Sequence, residues 1–386
     1  MSRLEKLLKT NAIFQKIYID VFSLIFKLLG VIIPTRKKQV LIQSLKGKNF
    51  GDSPFAIYNY MRNDPFFKDY SYVWAFDTPT KYTIPGAKVI KFSGIKYFLT
   101  AIQSGIWITN VNIERGLQFK KKKTIYLNTW HGCGPLKIDG NQQKGRKDYD
   151  YSNVDIMCSG STWQDSFFMN SMNVKEESII RCGMPRNDDL FNASEGRIKQ
   201  LIEKYGINPK KKIILYAPTW RDTNNFVIPL NFKRLKKELG DSYCILFRAH
   251  HLVASEMNIE FDDFCMDFSG QYNVNELMLI SDILITDYSS ILSDFSLLEK
   301  PIVLFAYDYE QYKKDRGLYS DLNILFPGNV CEDEESLIKK IKTLNYDAES
   351  EKSRIYKNKY TYPLPSSTAL CVETLKKSII VRGNKT

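Results

Sequence analysis

Three histidines, His131, His250 and His251, are the only imidazoles among 386 residues, and each follows an apolar run that reads as a strand. His131 follows TIYLNTW, and the other two follow YCILFRA. Parallel α/β sheets bind ligands beyond the carboxyl ends of their strands. Two imidazole groups at two strand exits therefore suggest a cleft shared by two sheets. In NTWHGCGPLK (128–137), Gly132 and Gly134 let backbone approach a ligand, and Pro135 stiffens the exit. A histidine on such a turn suits a general base acting on an acceptor hydroxyl; a tight turn with a surface histidine is the alternative. Lys137 either steers an anionic acceptor or is an ordinary surface lysine.

Three further segments carry charge or hydroxyls at strand exits. In YAPTWRD (216–222), Arg221 is placed to grip phosphate through paired hydrogen bonds, or to pair with Asp222 or another carboxylate. FRAHHLV (247–253) offers Arg248 and His250 together. In ITDYSSILSDF, Ser289 and Ser290 stand at a helix start, where free N–H groups favour phosphate and where hydroxyls also cap the helix. Thr286 and Asp287 fall beside them. Asp287 near a phosphate is costly unless it orients a donor or pairs with a cation.

These residues need a scaffold. Short apolar runs at 39–44, 70–76, 87–92, 106–110, 124–130, 154–160 and 178–183 form one series of strands, and runs at 211–218, 243–249, 282–287 and 301–307 form a second. Helical patterns between many of them predict parallel sheets with crossover helices, hence an α/β protein with two Rossmann-like, doubly wound domains. The expected divisions are an amphipathic segment at 1–34, a first domain at 35–205, a second at 206–365, and a final helix at 366–386 that crosses back to the first domain.

The N-terminal segment ends in an apolar stretch, Val21 to Ile33, interrupted by Lys27 and too short to span a bilayer at ~20 residues per crossing. With Arg3, Lys6, Lys9, Lys16 and several aromatics it reads as an interfacial helix on an anionic membrane; packing on the protein's own core is the alternative. No signal-peptide cleavage site is expected. A net charge of +12 favours anionic partners. No Arg-rich arm or zinc-ligand spacing points to nucleic acid. Seven scattered cysteines read as buried free thiols of a cytosolic protein. No Asp-x-Asp pair stands out, so a divalent metal is not indicated.

Taken together, TWHG, YAPTWRD, RAHHLV and ITDYSSILSDF, in that order and spacing between about residues 44 and 322, resemble the CDP-glycerol glycerophosphotransferase family of teichoic-acid primases and polymerases. The resemblance implies a glycosyltransferase B-type arrangement with the active site between the domains. It also implies attack of an acceptor hydroxyl on the β-phosphate of CDP-glycerol or CDP-ribitol, with CMP leaving. His131 matches the family's base. His250 is grouped with it as catalytic, Arg221, Arg248, Thr286, Asp287, Ser289 and Ser290 with the donor, and Gly132 and Lys137 with the acceptor. The implied acceptor is a polyprenyl-linked saccharide or polyol phosphate at the cytoplasmic face of the membrane, in teichoic acid or capsule synthesis. Where family members commonly carry Thr-Pro after His-Gly, this chain has Cys133-Gly134-Pro135, a departure that bears on acceptor selectivity. A nucleotide-sugar glycosyltransferase of the same fold and an inactive glycopolymer-binding scaffold are the competing readings.

Overall fold

The computed structural model describes residues 12–143, 149–219, 221, 228–249, 259–270 and 272–383, with side chains from Phe14 onward. Two parallel sheets organise the chain. The first joins β1 (Arg36–Gln43), β2 (Ser71–Phe76), β3 (Ala87–Lys91), β4 (Ser104–Thr109), β5 (Ile125–Asn128), β6 (Ile156–Ser159) and β7 (Ile179–Arg181). The second joins β8 (Lys212–Ala217), β9 (Tyr243–Phe247), β10 (Cys265–Asp267), β11 (Ile283–Thr286), β12 (Ile302–Phe305) and β13 (Val330–Cys331). The strand orders are β3-β2-β1-β4-β5-β6-β7 and β10-β9-β8-β11-β12-β13. Each central strand is buried on both faces, as its unbroken apolar run requires. In each sheet the order reverses beside the first strand, which opens a ligand crevice at the carboxyl ends.

Helix Ala12–Ile32 packs on the first sheet's helices through one narrow face. Phe26 is buried and stacks on Phe98 with ring centroids 4.7 Å apart. The Ser23 hydroxyl accepts the Gln118 amide at 3.1 Å. At the other terminus, helix Ser367–Gly383 leaves the second sheet and joins the first sheet's core, where Cys371, Val372 and Leu375 pack with Val40, Trp74 and Cys158. Arg382 near its end pairs with Asp155 and donates to the Thr124 carbonyl at 2.7 Å. All seven cysteines are buried free thiols.

The loop after β5 is also the seam between the sheets. The Tyr319 amide donates to the Leu136 carbonyl at 2.7 Å, and the Ile138 amide to that of Gly317 at 3.1 Å. Leu136 is buried in the core of the second sheet. Gly134 has φ +91°, and a methyl there would lie 2.4 Å from both Ser293 Oγ and Tyr356 OH. A side chain is thus excluded by backbone strain and by space together. Gly134→Ala is expected to cost about 2–5 kcal/mol from strain and overpacking. Its denaturant midpoint should fall accordingly, and an unchanged midpoint would show that the seam yields freely.

Candidate active site

The turn carrying His131 is built by its neighbours. The Asn128 side chain accepts the Trp130 amide at 2.8 Å and donates to the Val111 carbonyl, and the Thr129 amide donates to Thr109 O at 2.9 Å. This clamp holds Trp130 at φ +52°, a strained value for a bulky residue, with its indole buried against Tyr151 and Phe167. Beyond His131, Gln164 donates to the Gly132 carbonyl at 2.6 Å. The imidazole is left half-buried, with Nδ1 2.8 Å from the Asn110 carbonyl. A carbonyl only accepts, so Nδ1 carries the proton and Nε2 presents a lone pair. Burial lowers the His131 pKa below its ordinary value; the Asn110 carbonyl and the charges of Asp52 and Asp139 oppose this without reversing it. The ring is therefore neutral at neutral pH and in the tautomer of a base.

Beneath it lies a residue that sequence reasoning passed over. Arg186 donates to both Asp294 oxygens at 3.0 to 3.2 Å, and its Nη1 lies 3.5 Å from Asp52 Oδ1 and 3.4 Å from the His131 carbonyl. Asn187 donates to the same Asp294 at 2.6 Å. Burial disfavours the Arg186 charge, but Asp294 and Asp52 outweigh it and hold its pKa above the arginine norm. The signal available was position alone: Pro185-Arg186-Asn187 follows β7 at the same sheet edge as His131.

On the second sheet the predicted donor residues divide. Arg221 is buried, with Nε 2.7 Å from Asp308 Oδ2 and Nη2 2.8 Å from Asp287 Oδ2. It also lies 4.9 Å from the ring centroids of both Tyr288 and Tyr312, which stack 3.7 Å apart. Burial opposes its charge, yet hydrogen bonds and charges from Asp308 and Asp287 raise its pKa. Two carboxylates thus already engage the group expected to grip phosphate. Asp287 is the cation partner that its position demanded, and it sits behind Arg221 instead of facing a ligand. Thr286 is likewise corrected: it is fully buried and its hydroxyl ties β11 to β8 by donating to the Ala217 carbonyl at 2.7 Å.

Arg248 behaves differently. Its Nη1 donates to the carbonyls of Phe268 at 3.2 Å and Tyr272 at 3.3 Å, and among the described residues no carboxylate pairs with it. Burial lowers its pKa. An under-compensated guanidinium of this kind calls for an anion. It lines a cavity of about 870 Å³ together with Ser289, Ser290, Thr219, Arg221 and Lys137. The buried Thr219 hydroxyl has no partner among the described residues. Ser290 precedes the short helix Ile291–Ser296 without capping it through its side chain. Lys137, expected on the acceptor side, is in the wall of this cavity with the donor group, paired through its backbone with Leu318. Gly132 lies where the sheets approach, a methyl there falling 3.9 Å from Ser290 Oγ. His250, with His251, Trp220 and Asp222, lies outside the described residues. A second cavity, of about 1300 Å³, opens along helix Asp52–Asn63 and shares Arg248 with the first.

A basic, hydroxyl-lined cavity on the second sheet, with Ser290 close to the glycine that follows His131, marks an α/β enzyme whose site lies where two parallel sheets meet. The sequence pattern described as CDP-Glycerol:Poly(glycerophosphate) glycerophosphotransferase matches residues 25–362, and the chain belongs to that family of enzymes. It is 32% identical over 370 residues to the teichoic acid poly(glycerol phosphate) polymerase of Bacillus spizizenii, covering 89% of this chain and 93% of that protein. It is 33% identical to the Staphylococcus epidermidis polymerase, covering 80% of this chain but spanning only 46% of that relative. Among solved structures, a variant of the wall teichoic acid polymerase TagF superposes with TM-score 0.82 at 30% identity, covering 91% of each chain. A TagF structure soaked with CDPG gives 0.80 at 30% identity, covering 90% of each.

Because Arg186 is buried against carboxylates from both sheets, Arg186→Ala should leave Asp294 uncompensated and cost about 3–5 kcal/mol. Chemical denaturation checks this, and a loss below ~1 kcal/mol, typical of exposed pairs, would show that the contact does not hold the seam.

Proposed function

We propose that this enzyme transfers glycerol phosphate from CDP-glycerol to a hydroxyl of a membrane lipid-linked saccharide or polyol phosphate, through a glycosyltransferase B-type cleft, in cell-wall or capsule polymer synthesis. The observation that carries the reading is the His131 tautomer, fixed by the Asn110 carbonyl so that Nε2 is the free base. In the reaction the acceptor oxygen forms a bond to the β-phosphorus as its proton passes to Nε2, and the bond to the bridging oxygen breaks, releasing CMP. Arg248, Ser289, Ser290 and Lys137 are assigned to the pyrophosphate. Arg221 is assigned to positioning: with Asp287 and Asp308 it fixes the pocket wall. Phosphoryl transfer depends chiefly on such prearranged charge. Glycerol is preferred over ribitol because, over a similar share of the chain, the relatives named for glycerol phosphate match at 32% identity and the ribitol-phosphate primase at 27%.

With saturating CDP-glycerol, His131→Ala should lose roughly 10²–10⁴-fold in single-turnover CMP release while donor affinity by calorimetry holds. A base with a lowered pKa works deprotonated, so kcat/KM should rise with pH through a midpoint below 6.5 and stay level above it. A midpoint above 6.5, or normal turnover in a folded His131→Ala, would remove the assignment. CDP-ribitol in the same assay separates the two polyols.

We further propose peripheral attachment to the cytoplasmic face of the membrane. No helix among the described residues is long and apolar enough to cross one. Supporting this, helix Ala12–Ile32 buries Phe26 while Val21, Leu24, Leu28, Val31 and Ile32 are exposed, the last two at 84% and 79%. Val31→Glu with Leu28→Glu should abolish co-sedimentation with phosphatidylglycerol vesicles and leave turnover of a soluble acceptor intact. Retained vesicle binding would place the contact elsewhere.

A further inference from the structure

The turn that carries His131 has its carbonyls occupied and its amides idle. Arg186 Nη1 donates to the His131 carbonyl at 3.4 Å, Gln164 to that of Gly132 at 2.6 Å, and Ser293 to that of Cys133 at 3.1 Å. Three side chains thereby hold three consecutive carbonyls. The peptide bonds are trans, and a trans peptide sets its N–H opposite its own carbonyl. The amides of Gly132 and Cys133 are therefore turned away from Arg186 and Gln164. Among the described residues neither amide meets an acceptor. Cys133 is only 6% exposed, and an unpaired N–H on so buried a residue is costly unless something else satisfies it.

An independent donor reaches the same place. Trp130 is 5% exposed, yet its indole N–H has no acceptor among the described residues. An indole only donates, so what it awaits is an acceptor. Its Nε1 lies 3.8 Å from the point where a methyl on Gly132 would stand, and Ser290 Oγ, from the second sheet, lies 3.9 Å from that point. The side chain that Gly132 lacks thus leaves a space between the indole and the serine. That space adjoins the proposed base, because the Trp130 and His131 rings are 4.3 Å apart, centroid to centroid. A phosphoryl group in transfer spreads charge over three oxygens. Fixed N–H donors aimed where such charge develops lower the barrier without rearranging during the reaction.

We infer that the Trp130 indole N–H and the backbone amides of Gly132 and Cys133 form an anion hole for the phosphoryl group passing from donor to acceptor. The inference rests on the glycerophosphotransferase reading and deepens it. The acceptor oxygen bonds to the β-phosphorus while its proton passes to His131 Nε2. The bond from phosphorus to the bridging oxygen breaks, and its electron pair leaves with CMP. The hole holds the oxygens that stay on phosphorus throughout.

Gly132-Cys133 is the single Gly-Cys step in the chain. Enzyme carrying 13C-carbonyl glycine and 15N cysteine therefore reports the Cys133 amide alone in a carbonyl-filtered spectrum. That amide should move downfield on saturation with CDP-glycerol. It should stay in place with CMP, which lacks the β-phosphate, and with an octyl-linked di(glycerol phosphate), whose phosphates belong to an acceptor. Trp130→Phe keeps an aromatic ring and loses the N–H. It should slow single-turnover CMP release about 10²-fold, the scale of one lost oxyanion donor, and leave CDP-glycerol affinity by calorimetry unchanged. An amide unmoved by CDP-glycerol, or moved equally by CMP or by the di(glycerol phosphate), overturns the anion hole, as does normal turnover in Trp130→Phe. The spectrum uses the unaltered chain, so it decides the matter even where the variant folds poorly. The transferase reading survives each of these results, whereas failure to bind CDP-glycerol overturns both.

Discussion

The structure depends on one buried charge. Arg186 comes from the loop after β7 of the first sheet, and Asp294 from the short helix after β11 of the second. Each is held in a low-dielectric seam where an unpaired ion would be costly. Neither is left short of partners: Asn187 supplies Asp294 with another donor, and Asp52 and the His131 carbonyl take the remaining side of the guanidinium. The same atoms that join the sheets thereby fix the backbone of the proposed base. Gly134 and Ser293 add a second fastening a few residues away, where the Ser293 hydroxyl donates to the Cys133 carbonyl at 3.1 Å. The contacts that join the sheets and those that hold the histidine turn therefore share Arg186.

Charge is then distributed unequally across the cleft. Arg221 is neutralised by two carboxylates and lies beside the stacked Tyr288–Tyr312 pair, so it gives shape to the cavity wall and little net field. Among the described residues Arg248 donates to carbonyls and pairs with no carboxylate, so its charge is not offset there. Two arginines at equivalent strand exits thus take opposite parts, decided by which carboxylates the fold brings to them. With the half-buried neutral histidine as the proposed base, the site would need little rearrangement of its own groups during phosphoryl transfer.

Much of this was legible in the chain. The central strands announce themselves because burial on two faces demands continuous apolar runs, and the partly exposed β3 and β7 still carry apolar runs, whereas β10 and β13 carry none that stood out. β10 is three residues, Cys-Met-Asp, ending in a charge, and β13 is two residues long. The strand-exit rule located His131, Arg221, Arg248 and the serines, but it says nothing about partners far away in sequence. Asp308 reaches Arg221 from 87 positions on, and Asp294 reaches Arg186 from 108. For that reason Arg221 was left between phosphate and a carboxylate partner, Thr286 read as a donor contact instead of an interstrand tie, and Arg186 drew no reading at all. The N-terminal helix shows another limit: the sequence offered an apolar stretch with either membrane contact or core packing, and the fold packs one side of the helix while the other stays exposed.

The central claim, that the fold presents His131 as a neutral base with Nε2 unprotonated, is most directly tested by 15N NMR of histidine-labelled enzyme. Comparison with His131→Asn assigns the signal among the three imidazoles. At neutral pH the account predicts a proton on Nδ1, an unprotonated Nε2, and titration with a midpoint below 6.5. A resonance showing the proton on Nε2, or an imidazolium at neutral pH, would contradict it.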